Sequence, residues 1–115
     1  MMYDVDEAIS NGTNPLMIAS AKGHEDVVRV LIVEGKANVD KPAVISIVNG
    51  WTPLMFASEA GHEGVVRTLI VEGKANVDKV AQDGTTALTV ASNNGHQGVM
   101  SLLTALTGTL RKGRL

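Results

Sequence analysis

The sequence predicts an all-α protein, an α-solenoid of about three helix-turn-helix repeats, and three observations support this fold class. Glycine–histidine pairs recur at spacings of 38 and 34 residues, beginning at Gly23, Gly61 and Gly95. Leucines recur at the same two spacings, at Leu16, Leu54 and Leu88. The octamer VEGKANVD occupies residues 33–40 and returns unchanged at residues 71–78. Units that repeat in one frame are typical of solenoids, in which stacked neighbours bury a continuous core.

The second unit shows why each repeat is expected to form two short helices. Thr52 is a good N-cap residue, and Pro53 fits the first helical position, where no backbone N–H is required. Gly61 predicts the end of this inner helix, because glycine adopts the left-handed conformation at helix C-termini. An outer helix follows, with an apolar stripe formed by Val65, Val66, Leu69 and Ile70. Gly73 predicts its end, and residues 74–84 lead to the next unit as a loop or extended finger.

The finger between the first and second units is longer than the next one. Asp40 to Gly50 spans ten positions, whereas the equivalent Asp78 to Gly84 spans six, so four residues are inserted within residues 41–49. The insert contains β-prone residues, namely Val44, Ile45, Ile47 and Val48. An apolar finger of this kind is expected either to fold onto Trp51 or to form an exposed edge that binds a partner strand or a second copy of the chain.

The pattern closely resembles the ankyrin repeat, whose signature combines T-P-L-H-x-A with a Gly-His pair at a period of about 33 residues. The corresponding segments are NPLMIA, TPLMFA and TALTVA, at residues 14–19, 52–57 and 86–91. The resemblance covers roughly residues 3–106. It implies stacked helix pairs joined by finger loops, in a protein that binds a partner and does not catalyse a reaction. The threonine–histidine hydrogen bonding of the family is not expected, because the signature histidine is replaced by Met17, Met55 and Thr89.

We predict one ankyrin-repeat domain over residues 1–115, with repeats at about residues 12–40, 50–78 and 84–107. Residues 1–11 match the spacing of a partial leading finger. The third outer helix is expected to end near Leu106, and residues 108–115 form a basic tail. Neither end shows the polar cap that solenoids need, which predicts either a longer array or ends that contact another molecule.

Composition argues against several function classes. The chain has 10 basic and 12 acidic residues, and three of the basic residues lie in the tail, at Arg111, Lys112 and Arg114. Without these three, 7 basic residues oppose 12 acidic ones, which gives a net charge of −5. A negative net charge disfavours binding to nucleic acid. The chain has no cysteine, which excludes disulfides and thiolate metal sites. No segment approaches the roughly 18 apolar residues of a membrane helix, and the N-terminus lacks the features of a signal peptide. We therefore expect an intracellular, cytoplasmic protein with no nucleic-acid, membrane or metal partner.

Candidate catalytic and metal-binding residues are not found. Equivalent positions in stacked helices lie about 8–10 Å apart, so the three histidines cannot converge on one ion. Each histidine is instead expected to begin an outer helix and bond to the backbone of a neighbouring loop. No G-x-S-x-G or phosphate-binding glycine loop occurs, and we predict no catalytic residue and no cofactor. Several inner-helix residues recur at equivalent positions and are expected to pack in the core, namely Ser20, Ser58, Ser92, Met17 and Met55. For the two methionines, contact with a partner is the alternative.

Ankyrin-repeat proteins bind through finger loops and inner-helix ends along a concave face, and the resemblance places this role on three groups of residues. The first unit contributes Ser10, Asn11, Thr13, Ala21 and Lys22. The second unit contributes Val48, Asn49, Trp51, Glu59 and Ala60. The third unit contributes Gln82, Asp83, Thr85, Asn93 and Asn94. These positions differ between repeats while the residues around them are nearly constant, as expected of a scaffold with a variable binding surface.

Trp51 is the most suggestive of these residues, because its counterparts Thr13 and Thr85 are small. Tryptophan is enriched at binding hot spots; the alternative is that Trp51 covers the inserted loop beside it. Two function classes follow. The first is a non-catalytic module that binds a partner protein. The second is a structural protein that self-associates, either by stacking through its ends or by pairing through the extended finger at residues 41–49.

Overall fold

A computed structural model of the chain describes residues 14–43 and 50–111. Six helices follow one another, namely α1 (Pro15–Lys22), α2 (Glu25–Val33), α3 (Pro53–Ala60), α4 (Glu63–Val71), α5 (Ala87–Asn93) and α6 (Gln97–Arg111). The inner helices α1, α3 and α5 pack side by side, and the outer helices α2, α4 and α6 form a second layer. The two described ranges contain no strand, and the predicted all-α solenoid of three helix pairs is confirmed.

Each inner helix begins at a polar residue in an extended conformation. The Asn14 side chain accepts a hydrogen bond from the backbone N–H of Met17 at 3.0 Å. Thr86 and Thr89 form a reciprocal capping box at the start of α5. Thr52 occupies the predicted N-cap position of α3, but its side chain makes no capping hydrogen bond. The start of each helix was therefore predictable from residue type, and the capping contact differs among the repeats.

The inner helices end where the glycines predict. Gly23 and Gly61 adopt left-handed conformations, with φ of 77° and 80°, and their N–H groups bond to carbonyls of the last helical turn. In the third repeat Asn94 forms the C-cap, and the left-handed residue is the next one, Gly95, with φ of 70°. Glycine adopts these angles without the steric cost that a Cβ imposes.

The outer helices end differently from the prediction that Gly73 terminates α4. The helix ends at Val71, with Glu72 as the C-cap, and the residue with positive φ is Lys74. Gly73 is required for space, because a Cβ there would lie 2.7 Å from the carbonyl oxygen of Leu69 and 2.7 Å from Cγ1 of Val39. The glycine therefore allows the first finger to approach the end of α4.

Lys74, with φ of 59°, provides a simple way to stabilise the fold. A non-glycine residue in the left-handed region loses about 1–2 kcal/mol, and glycine recovers part of this because it also favours the unfolded chain. Lys74→Gly is therefore expected to raise the free energy of unfolding by about 0.5–1 kcal/mol in urea titrations. Lys74→Ala keeps the strain and should leave stability nearly unchanged. An equal gain from both variants would mean that the lysine charge, rather than the backbone, limits stability.

The third outer helix is longer than expected. The prediction that it ends near Leu106 is wrong, because α6 continues through Gly108 to Arg111. A single glycine within a helix costs only about 1 kcal/mol relative to alanine, which does not end a helix by itself. Although α6 has 15 residues, no helix in the described part of the chain is both long enough and apolar enough to cross a bilayer.

The core runs through both helix layers and consists of small and medium side chains. Equivalent leucines and methionines of the first two repeats are each 1% exposed, namely Leu16, Leu54, Met17 and Met55. Ser20 and Ser58 are 0% exposed, and their hydroxyl groups have no hydrogen-bond partner. Ser92, at the same position of the third repeat, is exposed. Packing is therefore the role of the methionines and of the first two serines, and the third serine departs from the prediction because no further repeat covers α5 among the described residues.

The two described fingers have the same hydrogen-bonded base. In the first, the N–H of Ala43 donates to the carbonyl of Trp51 at 2.7 Å, and the N–H of Gly50 donates to the carbonyl of Ala43 at 2.9 Å. In the second, the N–H of Ala81 donates to the carbonyl of Thr85 at 2.9 Å, and the N–H of Gly84 donates to the carbonyl of Ala81 at 3.0 Å. Because these bases correspond, the four extra residues lie between Ala43 and Gly50. Of residues 41–49, within which the insert was predicted, residues 44–49 are outside the described ranges.

Candidate partner-binding surface

The ends of the inner helices bring four of the predicted binding residues to one side of the stack. Lys22 ends α1, Glu59 lies in the last turn of α3, and Asn93 ends α5 with Asn94 following it. All four side chains are exposed. Because α1 packs against α3 and α3 against α5, these residues form a row along the stacking direction. The row presents a cation, an anion and two amides in successive repeats.

The second finger adds three more of the predicted residues, two at its tip and one at its base. Gln82 and Asp83 are exposed, and Thr85 is half-buried. The Asp83 carboxylate accepts a hydrogen bond from the backbone N–H of Thr85 at 3.0 Å. Hydrogen bonds from the Thr85 side chain and backbone lower the pKa of Asp83 below its usual value. The fingertip therefore keeps a negative charge, held in place by a local turn.

The remaining predicted residues divide into one buried ring and a group outside the described ranges. The group outside comprises Ser10, Asn11, Thr13, Val48 and Asn49. Trp51 is only 7% exposed, and its ring lies 5.2 Å from that of Phe56 between centroids, at an interplanar angle of 57°. Its Nε1 is buried without a hydrogen-bond partner. The ring of Trp51 is therefore not part of the exposed surface. The inserted loop that it was alternatively expected to cover lies outside the described residues.

Two histidines hold the exposed row in place, and their exact partners were not identified from the sequence. Nε2 of His62 lies 3.0 Å from the carbonyl oxygen of Ala21, and Nε2 of His96 lies 2.8 Å from that of Glu59. In each pair a ring nitrogen at the start of an outer helix donates to the end of the inner helix of the preceding repeat. We call this pair of interactions the inter-repeat histidine contact. The expected histidine–backbone bond is present, but its acceptor is a helix end instead of a loop.

Each of these histidine rings packs over a glycine of the preceding repeat. A Cβ at Gly61 would lie 2.7 Å from Nδ1 of His96, whereas a Cβ at Gly95 would have no neighbour within 4 Å. Gly61→Ala places a Cβ on a left-handed backbone and displaces the ring of His96, and should therefore lower the free energy of unfolding by about 2 kcal/mol. Gly95→Ala has the strain alone, and about 1 kcal/mol is expected. Urea unfolding in dilute solution measures both, and equal losses would show that the ring contact contributes nothing.

A family model comprising three copies of the ankyrin repeat matches residues 16–109. The chain belongs to the ankyrin-repeat family. Ankyrin repeats are generally protein–protein interaction modules, and the family is generally non-catalytic. A search of curated proteins finds no match to this chain.

This ankyrin-repeat protein replaces the threonine–histidine bonding of the family signature differently in each repeat. In the third repeat, Thr89 stands at the signature histidine position, and its hydroxyl accepts a hydrogen bond from the N–H of Thr86 at 2.8 Å. In the first repeat, Asn14 caps the N–H of Met17. Met55 takes the position in the second repeat and is buried. The departure from the signature is therefore compensated locally at two of the three helix starts.

Polar contacts in the outer layer also join successive ankyrin repeats. Nε of Arg29 donates to a Glu72 carboxylate oxygen at 2.8 Å, and this hydrogen bond is the largest cause of the raised pKa of Arg29. The N–H of Asn76 donates to the Asp40 carboxylate at 2.9 Å. These contacts join residues far apart in sequence, so residue spacing gave no indication of them. Among the described residues, no cluster of three or more His, Asp or Glu side chains is arranged for metal binding.

Proposed function

We propose that this protein is a non-catalytic binding module whose partner protein lies across the inner-helix ends and the fingertips. The supporting observation is the exposed row at Lys22, Glu59 and Asn93, whose members differ in charge and lie on a buried frame that is nearly the same in each repeat. A fixed frame lowers the entropy lost on binding, because the contacting groups are already in position.

The charges of this surface suggest what the partner presents. Lys22 favours an acidic group at one end, and Glu59 favours a basic group opposite the second repeat. Asn93 and Asn94 carry both donors and acceptors and favour polar backbone or amide groups. The negative fingertip at Asp83 adds a second anion beside the third repeat. We therefore infer a protein surface of mixed charge, in the intracellular setting that the sequence predicts, and not a nucleic acid.

Site-specific photo-crosslinking in the source cells tests this proposal. A photoreactive phenylalanine derivative is placed at Glu59 on the proposed surface, and in a second variant at Arg67, which is exposed on outer helix α4. We expect a discrete adduct with another protein from position 59 and none from position 67. Adding Lys22→Glu to the first variant should reduce the adduct severalfold, because charged contacts contribute to specificity and association rate.

Crosslinking from positions 59 and 67 also gives the results that would contradict the proposal. Equal labelling from positions 59 and 67 would show that the exposed row has no preferred role in binding. An adduct only from position 67 would place the binding surface on the outer helices. An adduct with the mass of two copies of this chain at position 59 would show that the surface binds another copy and not a different protein.

A further inference from the structure

The N-terminal face of the stack exposes apolar side chains that equivalent positions bury. On α2, Val27 is 49% exposed and Val30 is 50% exposed. Their equivalents on α4, Val65 and Thr68, are 1% and 3% exposed. Thr68 faces α2, because its hydroxyl lies 3.4 Å from a guanidinium nitrogen of Arg29. Val27 and Val30 are therefore positioned as if another outer helix should pack on them, and a shallow cleft lies beside them along residues 23–27.

The C-terminal face has the complementary property. Leu88 on α5 is 44% exposed, whereas its equivalent Leu54 is 1% exposed. On the neighbouring outer helix, a second shallow cleft is lined by Gln97, Met100, Ser101, Thr104 and Ala105. The sequence contains no Asp, Glu, Lys or Arg from residue 84 to residue 110. An uncharged face with an exposed leucine has the character of an interior surface between stacked repeats.

Each face also carries one half of the inter-repeat histidine contact. His24 occupies the position of His62 and His96, but its exposed ring makes no hydrogen bond within the described residues. At the other end, Gly95 corresponds to Gly61 and has open space above it. The carbonyl of Asn93 corresponds to that of Glu59, and no described histidine reaches it. Among the described residues, a histidine that makes no hydrogen bond at one end thus matches a carbonyl that no histidine contacts at the other.

We propose that a second copy of this chain stacks on the first, with the N-terminal face of one copy against the C-terminal face of the other. His24 of the second copy packs over Gly95 and donates Nε2–H to the carbonyl of Asn93. Val27 and Val30 of the second copy pack against α6 of the first, where Met100 and Thr104 line the cleft. The arrangement repeats the contact that already joins successive repeats within one chain.

A second copy fits better than an unrelated partner, because one chain supplies both halves of the same contact. Helices α5 and α6 contain no charged residue before Arg111, so they present no carboxylate to Asp26 at the start of α2 when the faces approach. Glu25 lies on the other side of α2, where its carboxylate is next to Gly64 of the second repeat. The two faces are different surfaces, so the interface is heterologous, and each copy that binds leaves a further face open. Association is therefore expected to continue beyond the dimer as concentration rises.

Light scattering and sedimentation on face-specific variants test this inference. Val27→Lys with Val30→Lys blocks the N-terminal face, and Leu88→Lys with Thr104→Lys blocks the C-terminal face; all four positions are exposed. We expect the unaltered chain to gain mass without a dimer plateau over a roughly hundredfold range of concentration. Each blocked variant alone should stay monomeric. An equimolar mixture of the two should form a dimer and nothing larger, because only one pair of intact faces remains.

Two further variants test whether association depends on the end faces and on the histidine contact between them. Val71→Lys introduces the same charge outside the end faces, because Val71 and its equivalent Val33 are both 51% exposed. This variant should associate as the unaltered chain does. His24→Ala should weaken association about tenfold, the effect of one lost hydrogen bond and its ring packing, with unfolding in dilute solution unchanged.

Several results would overturn the inference. A monomer at all concentrations, with helical circular dichroism intact, would show that the faces do not bind each other. Failure of the mixed variants to form a dimer would exclude the heterologous arrangement, and association that survives in both blocked variants would place self-contact elsewhere, such as the extended finger. None of these results alters the crosslinking from position 59, so the proposed binding function is tested separately.

Discussion

Trp51→Ala is expected to lower the free energy of unfolding by about 3 kcal/mol, the scale found when a buried aromatic side chain is truncated. The ring is 7% exposed and packs against Phe56, and its carbonyl closes the base of the first finger. The buried Nε1 has no partner, so its removal offsets part of the packing loss and places the estimate at the low end of the range. Urea unfolding monitored by far-ultraviolet circular dichroism measures this change.

The matched control for Trp51 is Thr85→Ala, which truncates the equivalent position of the second finger. Thr85 is half-buried, and its loss is expected to change stability by less than about 1 kcal/mol. If Trp51→Ala proves equally mild, the ring contributes little to packing. Its role would then return to partner binding, as the residue type alone suggested.

Leu54→Ala should be as disruptive, with a loss of about 3–4 kcal/mol in the free energy of unfolding. Leu54 is 1% exposed on α3, which packs against both α1 and α5, so the cavity would open between three helices that cannot easily close it. For a domain whose total stability is on the order of 5–15 kcal/mol, this is a large fraction. Thermal and urea unfolding of the purified variant give the value.

Leu88→Ala provides the comparison, because it makes the same substitution at the same repeat position on the open C-terminal face. Leu88 is 44% exposed, and a loss of less than about 1 kcal/mol is expected in dilute solution. A large loss from Leu88→Ala would contradict the view that this face is open. If stacking of copies covers the face, the cost of Leu88→Ala should grow with protein concentration, since binding of a second copy adds to stability.

Much of the fold followed from local signals that act within a few residues. The glycines at 23 and 61 ended the inner helices as expected, because a left-handed C-cap selects glycine by sterics. The internal repeat placed the helix pairs, because units that recur in one frame must pack in one way. Counting alone placed the four-residue insert within residues 41–49, and the hydrogen-bonded finger bases narrow it to the segment between Ala43 and Gly50.

The differences arise where contacts between distant residues decide the outcome. Gly73 looked like a helix end, but its role is to leave room for Val39 of the first finger. For Trp51 the residue type left a binding role and a covering role open, and the ring packs against Phe56. The residue type of Lys22, Glu59 and Asn93 indicated a variable surface, whereas the carbonyl contacts of His62 and His96 that fix it depend on how repeats stack.

The base that the two fingers share has a consequence for which mutations this fold tolerates. Two residues separate Ala81 from Gly84, and six separate Ala43 from Gly50, yet the same two backbone hydrogen bonds close both loops. Lengthening a closed loop is cheap, about 0.6 kcal/mol for each doubling, and that cost is not transmitted to the helices below. Insertion between the two base residues is therefore expected to change stability little, while mutations in the stacked helices remain under selection for folding.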